Sequence, residues 1–301
     1  MRNTFLFLFV LFALDLALGL SLLRWGGPHL KVHVLDVGQG DAVLVTTPEH
    51  HAILVDGGPG QKVLEELGEV LPITQHELDL LILTHPHLDH MEGLVAVLQR
   101  FKVDNILLSA PTYDSLVYTA FLDALEKEQA HIWVADDDRD FRLGSLHIDV
   151  LYPFEPTLGK DFENVNNASP VLKLSQGPFS ILLSGDAEEE VEEAVLSHPD
   201  LLAFLKADLM KAGHHGSRTS NTEAFLRAVD PQVLAISAGV GNSYGHPHPE
   251  TLEKAQRLGI EVLRTDTQGR LSFVFEEKLP HMAWMRSILA PRLRSLASSS
   301  S

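Results

Sequence analysis

The sequence predicts an α/β fold in which two β-sheets pack face to face with helices on the outside. Short apolar strands alternate with amphipathic helical stretches from about residue 30 to residue 276. A set of strands followed by helix–strand alternation occurs twice, once in each half of the chain. Some strands, such as Leu78–Leu83, are solid apolar runs, the mark of a strand covered on both faces.

Taken in order, residues 5–23 are almost wholly apolar behind Met1-Arg2-Asn3, and the run is about the length that crosses a bilayer. Asp15 interrupts it, at ~2.5–3.5 kcal/mol if it lies near a membrane centre. Ala17-Leu18-Gly19 offers the small-x-small pattern that a signal peptidase accepts. Residues 1–24 are therefore expected to be a signal peptide or a membrane anchor held by residues 4–23. Either exports the rest of the chain to the periplasmic or extracellular side.

After Gly26-Gly27-Pro28 come Lys31–Val37, Ala42–Thr46 and Ala52–Val55, β-rich segments separated by Gly and Pro turns, which predict an antiparallel meander. Gln61–Leu71 carries Val63, Leu64, Leu67, Val70 and Leu71 as a helical stripe. Leu78–Leu83 is the buried strand, and it ends at Thr84-His85. A helix over Glu92–Phe101, a strand over Asn105–Ser109, a helix over Ser115–Gln129 and a strand over His131–Val134 complete the first half. In the second half Leu146–Tyr152, Val171–Ser175 and Phe179–Leu183 read as strands and Glu188–Leu196 as a helix. Strand Asp208–Lys211, helix Thr222–Val229, strand Val233–Ser237, helix Pro249–Leu258 and strands Glu261–Arg264 and Leu271–Phe275 follow. Residues 278–301, with Arg286, Arg292 and Arg294 and a run of serines at the end, read as a loosely ordered basic tail beyond a domain over 29–277.

Composition narrows the chemistry. With 45% hydrophobic and 21% charged residues, the chain can bury a sizeable core. A formal charge of −18 excludes binding that rests on a broad basic surface for phosphates. It leaves phosphate chemistry open, because bound cations invert the local sign. There is no cysteine, so disulfides, lipoprotein anchoring and thiolate metal sites are all excluded, and any metal must take nitrogen and oxygen ligands.

The most informative stretch is Thr84-His85-Pro86-His87-Leu88-Asp89-His90. On extended backbone, positions i and i+2 point the same way, so His85 and His87 can grip one ion together. A tight turn then brings Asp89 and His90 towards a second. Imidazole suits zinc, iron or manganese, and carboxylate favours the harder metals. An open coordination position lowers the pKa of water towards ~7 and provides a nucleophile at neutral pH. The bland alternative, an exposed His-rich loop, does not explain four ligand-type residues directly behind a buried strand.

Further constellations lie at other strand ends. Leu182-Leu183-Ser184-Gly185-Asp186 delivers an aspartate onto a glycine turn, where it can bridge two cations. Lys211-Ala-Gly-His214-His215-Gly216-Ser217 ends a short strand with adjacent histidines that should point apart. His214 is assigned to metal and His215 to substrate, and Ser217 offers a hydroxyl for an oxyanion or phosphate. Gly241-Asn242-Ser243-Tyr244-Gly245-His246 presents Tyr244 and His246 to a substrate, although it also suits a turn before a helix. Asn166-Asn167-Ala168-Ser169 either lines the site, through Asn167 and Ser169, or caps turns. Asp36 and Asp41, around Gly38-Gln39-Gly40, sit behind the site or in a simple hairpin. Asp89, His215 and His246 are the candidate catalytic groups.

Assembled, these motifs resemble the metallo-β-lactamase superfamily. The closer resemblance is to the hydrolase domain of ComEC-type DNA-uptake channel proteins. It rests on Asp36-Val-Gly-Gln-Gly-Asp41, Asp56-Gly-Gly58, Asn166-Asn-Ala-Ser169, Ser184-Gly-Asp186, Lys211-Ala-Gly-His-His-Gly-Ser217, Asn242-Ser-Tyr-Gly-His-Pro247 and Arg264-Thr-Asp266, in the family's order. The resemblance implies a four-layer αβ/βα sandwich with a binuclear site of two divalent ions, zinc or manganese. It implies His85, His87, Asp89, His90, Asp186 and His214 as ligands, with Asp186 bridging. Two departures matter. Lactamase-type members place a further histidine ligand before the bridging aspartate, and here no histidine occurs between His147 and His198. The channel proteins also carry many membrane helices, and this chain shows at most one, so a DNA pore is not expected of it.

The leading expectation is an exported phosphodiesterase or nuclease-type hydrolase acting on a phosphodiester or another small anionic substrate, with DNA a candidate. A carboxylic-ester, lactone or amide hydrolase is the second reading. The third is a weakly catalytic metal-binding module that aids DNA uptake at a membrane.

Overall fold

In the computed structural model, residues 2–25, 27, 29–277 and 283–289 are described. Helix α1 (Arg2–Trp25) comes first. The first half then contributes β1 (Leu30–Val34), β2 (Val43–Thr46), β3 (Ala52–Val55), α2 (Lys62–Val70), β4 (Glu77–Leu83), α3 (Leu88–Leu98), β5 (Lys102–Leu108), α4 (Leu116–Lys127) and β6 (His131–Val134). The second half contributes β7 (Phe141–Leu143), β8 (Leu146–Tyr152), β9 (Val171–Gln176), β10 (Phe179–Leu183), α5 (Glu189–Leu196), α6 (Pro199–Leu202), β11 (Leu209–Lys211), α7 (Glu223–Val229), β12 (Val233–Ile236), α8 (Pro249–Leu258), β13 (Glu261–Arg264), α9 (Thr265–Gln268), β14 (Leu271–Glu277) and β15 (Ala283–Leu289).

Among the described residues the strands form one eight-stranded sheet, ordered β15-β14-β1-β2-β3-β4-β5-β6, and one seven-stranded sheet, ordered β13-β12-β11-β10-β9-β8-β7. The β1–β3 meander is antiparallel, as expected, and pairing turns parallel from β3 through β6. The second sheet repeats the logic: antiparallel from β7 to β10, then parallel from β10 to β13.

Alternation explains the layers. Val32, Val34, Val43, Val45, Ile53, Val55, Leu80 and Ile82 face Ile148, Leu172, Leu174, Ile181 and Leu183 in a core shared by both sheets. The opposite face of the first sheet packs Leu44, Leu54, Leu81 and Leu83 against Val63 and Leu67 of α2, Leu94 and Val97 of α3 and Phe121 of α4. The outer face of the second packs Leu182, Met210 and Leu234 against Val191, Phe225, Leu226 and Ala255 of α5, α7 and α8. The result is the four-layer αβ/βα sandwich, two mixed sheets flanked by helices.

Two elements differ from expectation. Helix α3 begins at Leu88 rather than Glu92, so Asp89 and His90 sit in the first helical turn and not in a tight turn. His87 caps it in extended conformation, and the backbone N–H groups of His90 and Met91 donate to the His87 carbonyl. Residues 283–289, expected within a loose tail, form β15 antiparallel to β14; Arg286 interrupts an otherwise largely apolar strand pattern. The rest of the tail lies outside the described residues. The run over residues 4–23 is helical with Phe5–Phe12 exposed. Among the described residues no helix is long and apolar enough to cross a membrane. The side chains of residues 14, 17, 18 and 20–26 lie outside the described set, and the anchor expectation falls partly on them.

Candidate metal centre

Parallel strands leave their carboxyl ends at one edge of each sheet, and loops leaving those ends collect the functional groups. Here β3 ends at Asp56, β4 at His85, β10 at Asp186, β11 at His214-His215 and β12 at Ser237. The two edges meet at a cleft of about 320 Å³, lined by Gln39, His87, Asp89, Tyr113, Asn166, Asp186, His214, His215, Tyr244 and His246, among others.

His85 and His87 turn their rings the same way, with His85 Nε2 3.0 Å from His87 Nδ1. Buried Asp186 stands at the centre. Its Oδ1 is 3.3 Å from His90 Nε2, and its Oδ2 is 3.4 Å from His215 Nε2 and 3.7 Å from His214 Nε2. Asp89 Oδ2 is 3.4 Å from His215 Nε2. Among the described residues four groups of potential ligand atoms have all their atoms within 4.8 Å of one another, and two of the four, His85/His90/Asp186 and Asp89/His90/His215, join the His85–His90 cluster to the second sheet.

A cation fits this arrangement for a reason visible in the hydrogen bonding. His90 Nε2, His215 Nε2 and Asp186 Oδ1 are buried and have no hydrogen-bond partner. Orphaned buried polar atoms are costly, so three of them converging on one point mark a place for an ion. The electrostatics agree. Burial by itself would lower the imidazoles of His90 and His215, yet Asp186, with Asp56 beside His90 and Asp41 beside His215, raises both well above the ordinary histidine value. Burial would likewise raise Asp186, but His215 and His90 hold it well below the carboxylate range. Asp89 is held low against its own burial by the neighbouring imidazoles of His215 and His90. Without a metal the cluster stabilises positive charge on its imidazoles, at the place a divalent cation takes.

Tautomers are set from behind. His90 Nδ1 lies 2.8 Å from Asp56 Oδ2, which also accepts from Thr84 Oγ1 at 2.7 Å, while Asp56 Oδ1 accepts from Thr84 N at 2.8 Å. His215 Nδ1 donates to the Ser237 carbonyl at 3.1 Å. Both rings thus turn a free Nε2 to the cleft. Asp56, His214 and His215 have φ of 59°, 48° and 52°. Left-handed backbone costs non-glycine residues about 1–3 kcal/mol and concentrates at functional sites. Replacing Asp56 with Asn should destabilise the protein by about 2–3 kcal/mol, because three donors then meet an amide that has a donor of its own. Metal affinity should also fall 10–100-fold. Urea denaturation in chelator and metal competition against a chromophoric chelator measure the two effects, and wild-type values in both would remove Asp56 from this role.

His215, not His214, belongs to the tight group with Asp89 and His90; His214 faces the cleft from the side, with Nδ1 3.2 Å from Glu188 Oε1. Adjacent left-handed residues aim the two rings apart, 6.0 Å between centroids at 68°. Ser169 does not face substrate: its Oγ is 3.2 Å from His85 Nδ1 and accepts from Asp186 N, fully buried behind the ligands. Ser217 is buried too, its Oγ paired with Thr219. Asn167 leaves the cleft lining to Asn166 and accepts from Glu188 N with its side-chain oxygen, at the start of α5. Tyr244 and His246 do line the cleft, their rings stacked 5.8 Å apart. Burial, with His215 and His214 nearby, lowers His246 to about 4, so its imidazole is neutral at pH 7.

No individual role was expected of Asp56, Gln39 or Tyr113, although the first two lie in motifs that carry the resemblance. Only Asp56 had a usable signal: an aspartate closing an apolar strand before Gly-Gly, the same pattern as Asp186.

Comparison with known proteins matches this geometry. The profile described as Metallo-beta-lactamase superfamily matches residues 35–240. The chain is 32% identical over 268 residues to ComE operon protein 3 of Bacillus subtilis, covering 83% of this chain and 33% of that protein. It is 30% identical over 245 residues to competence protein ComA of Neisseria gonorrhoeae, covering 80% of this chain and 32% of the relative. Exodeoxyribonuclease WalJ of Streptococcus pneumoniae is 22% identical over 222 residues, covering 69% of this chain and 80% of that one. The chain thus spans about a third of the length of the two competence-type relatives. Among solved structures, the metallo-beta-lactamase fold protein YhfI of Bacillus subtilis superimposes with a TM-score of 0.54 at 15% identity, over 86% of this chain and 100% of YhfI. With its fold, its His/Asp clusters and a family profile over most of its length, the chain belongs to the metallo-β-lactamase superfamily of metal-dependent hydrolases.

Proposed function

We propose that the chain is an exported phosphodiesterase of nuclease type, working with two divalent ions. The observation that carries the reading is the donor set around His85 and His87. Where lactamase-type relatives supply a third histidine, this chain has Ser169, whose hydroxyl backs His85 and offers no ligand to the cleft. On that side Asp186 supplies a carboxylate beside His85 and His90, and carboxylate oxygen suits manganese as well as zinc. When bound, the ions supply Lewis acidity and a nucleophile at neutral pH.

The protein's own part follows from the cleft walls. Asp186 and Asp89 hold the ions, and His246, neutral and stacked on Tyr244, offers a ring nitrogen to a phosphoryl oxygen. Asn166, tethered through Nδ2 to Glu188 at 2.9 Å, fixes the rim near His214. Among the described residues no lysine or arginine lines the cleft, so the charge attraction for an anionic group falls to the ions. The similarity to a protein named as an exodeoxyribonuclease and to competence-type proteins supports a phosphodiester substrate, DNA included. Export rests on the apolar run behind Arg2, and cell fractionation checks it.

The test is the full chain loaded with zinc or manganese and assayed on bis-p-nitrophenyl phosphate, DNA, a β-lactam and a lactone. Turnover of the first two is expected. Activity confined to the β-lactam and the lactone would reject the phosphodiester reading.

A further inference from the structure

Behind the cleft lies a charge pair that the chemistry above does not use. Lys211 ends β11, a strand paired on both sides, by β10 and by β12. Its side chain is only 2% exposed, in a protein with ample surface for a lysine. Lysine is almost never fully buried unless paired. The Lys211 ammonium is in direct contact with Asp41 Oδ2, 3.3 Å from the Gly185 carbonyl and 3.8 Å from Asp186 Oδ1. Asp41, equally buried, turns its other oxygen, Oδ1, to within 3.1 Å of His215 Nδ1.

These contacts form a line from Lys211 through Asp41 to His215, whose Nε2 meets Asp89 and Asp186. Asp41, Asp186 and His215 place ligand atoms within 4.8 Å of one another and so form another possible cation group. The ammonium of Lys211 already stands among those carboxylates. The loop that carries Asp41 is fixed independently: Asp41 N donates to the Asp89 carbonyl at 3.1 Å, and Ser237 Oγ donates to the Gly40 carbonyl at 2.6 Å. A Cβ on Gly40 would come within 2.2 Å of the Asp89 carbonyl oxygen, so the loop seats directly on the start of α3.

We propose that Lys211 and Asp41 are positioning residues that hold His215 for the ion shared with Asp89 and His90. The Ser237 carbonyl fixes which nitrogen of His215 carries the proton, and Asp41 supplies the negative charge behind the ring that makes Nε2 a better donor. Lys211 meets Asp41 in a buried site and also reaches the Gly185 carbonyl, so it fixes where the Asp41 carboxylate stands behind the His215 ring. A buried carboxylate without that partner is strongly unfavourable. The proposal rests on divalent-metal binding at this centre and is independent of which substrate is hydrolysed.

The test is metal titration of the full chain with Mn²⁺ and Zn²⁺, read as the number of ions bound and the affinity of each, beside thermal unfolding in chelator. The wild type is expected to bind two ions. Asp41→Asn and Lys211→Met should each weaken one ion 10–100-fold and leave the other within about threefold. A merely structural pair would lower thermal stability without choosing between the ions. The double variant Asp41→Asn/Lys211→Met removes both buried charges together, so it tests the idea even if a single variant fails to fold. It should show the same selective loss. Two ions at wild-type affinity in the double variant, or equal weakening of both, overturns the proposal. If the wild type binds neither metal, the metal reading itself fails, which is a separate outcome.

Discussion

Asp186→Ala is expected to abolish hydrolysis of whichever substrate the metal-loaded protein turns over, by at least about 10³-fold, or ~4 kcal/mol of transition-state stabilisation. The size follows from the position of the carboxylate. Within 3.3–3.8 Å of its two oxygens lie His90 Nε2, His215 Nε2, His214 Nε2 and Lys211 Nζ. Among the described residues no other carboxylate touches all four, so Asp186 joins the two sides of the cluster. Removing it leaves a buried ammonium and buried imidazoles without their common counter-charge. Both ions should then bind weakly, since one group contains Asp186 itself and the other loses the charge beside His90 and His215. Metal content by elemental analysis and turnover in the same preparation check the prediction. A variant that keeps two ions per chain and acts within tenfold of wild type would show that Asp186 does not bridge the site.

Gly93→Ala should cost about 3 kcal/mol of stability, although alanine is the better helix former. Helix propensity alone favours the substitution by ~1 kcal/mol. Packing runs the other way and wins. An added Cβ would stand 2.0 Å from the Gly57 carbonyl oxygen and 2.9 Å from Val63 Cγ1. The contact is backbone on backbone, and Gly93 N donates to the Gly58 carbonyl at 2.9 Å, so no flexible side chain can give way. Overpacking of this kind reaches the upper end of the usual 1–3 kcal/mol. Helix α3 also carries Asp89 and His90 in its first turn. A displacement of ~1 Å there can lower catalysis by about 10²-fold, far from any contact with substrate. Urea unfolding in chelator gives the stability, and a variant as stable as wild type or better would contradict the close approach of α3 to the Asp56–Gly58 turn.

Much of this was legible in the sequence. The fold followed from periodicity, because a strand or helix needs a matching apolar face wherever it packs. The meander over β1–β3 and the buried β4 appear in the structure as their patterns predict. The His85–His90 cluster was legible for the same reason: local spacing, an extended residue pair behind an apolar strand, determines that two side chains point together.

What the sequence left open depends on contacts across long separations. Which of two adjacent histidines joins Asp89 could not follow from alternation, since both adopt left-handed backbone and the outcome depends on Asp41 and Ser237, 174 and 22 positions away. The serine and asparagine motifs read as substrate groups because they are polar and sit near glycine turns. In the folded protein Ser169 backs His85 across 84 positions, and Asn167 is consumed by the start of α5. By itself, then, the sequence determined the layered sandwich and a cluster of residues of metal-ligand type, which local periodicity and spacing encode. Tertiary structure alone decided which polar groups face the cleft and which stand behind it, because burial and charge pairing are properties of the assembled edges of two sheets.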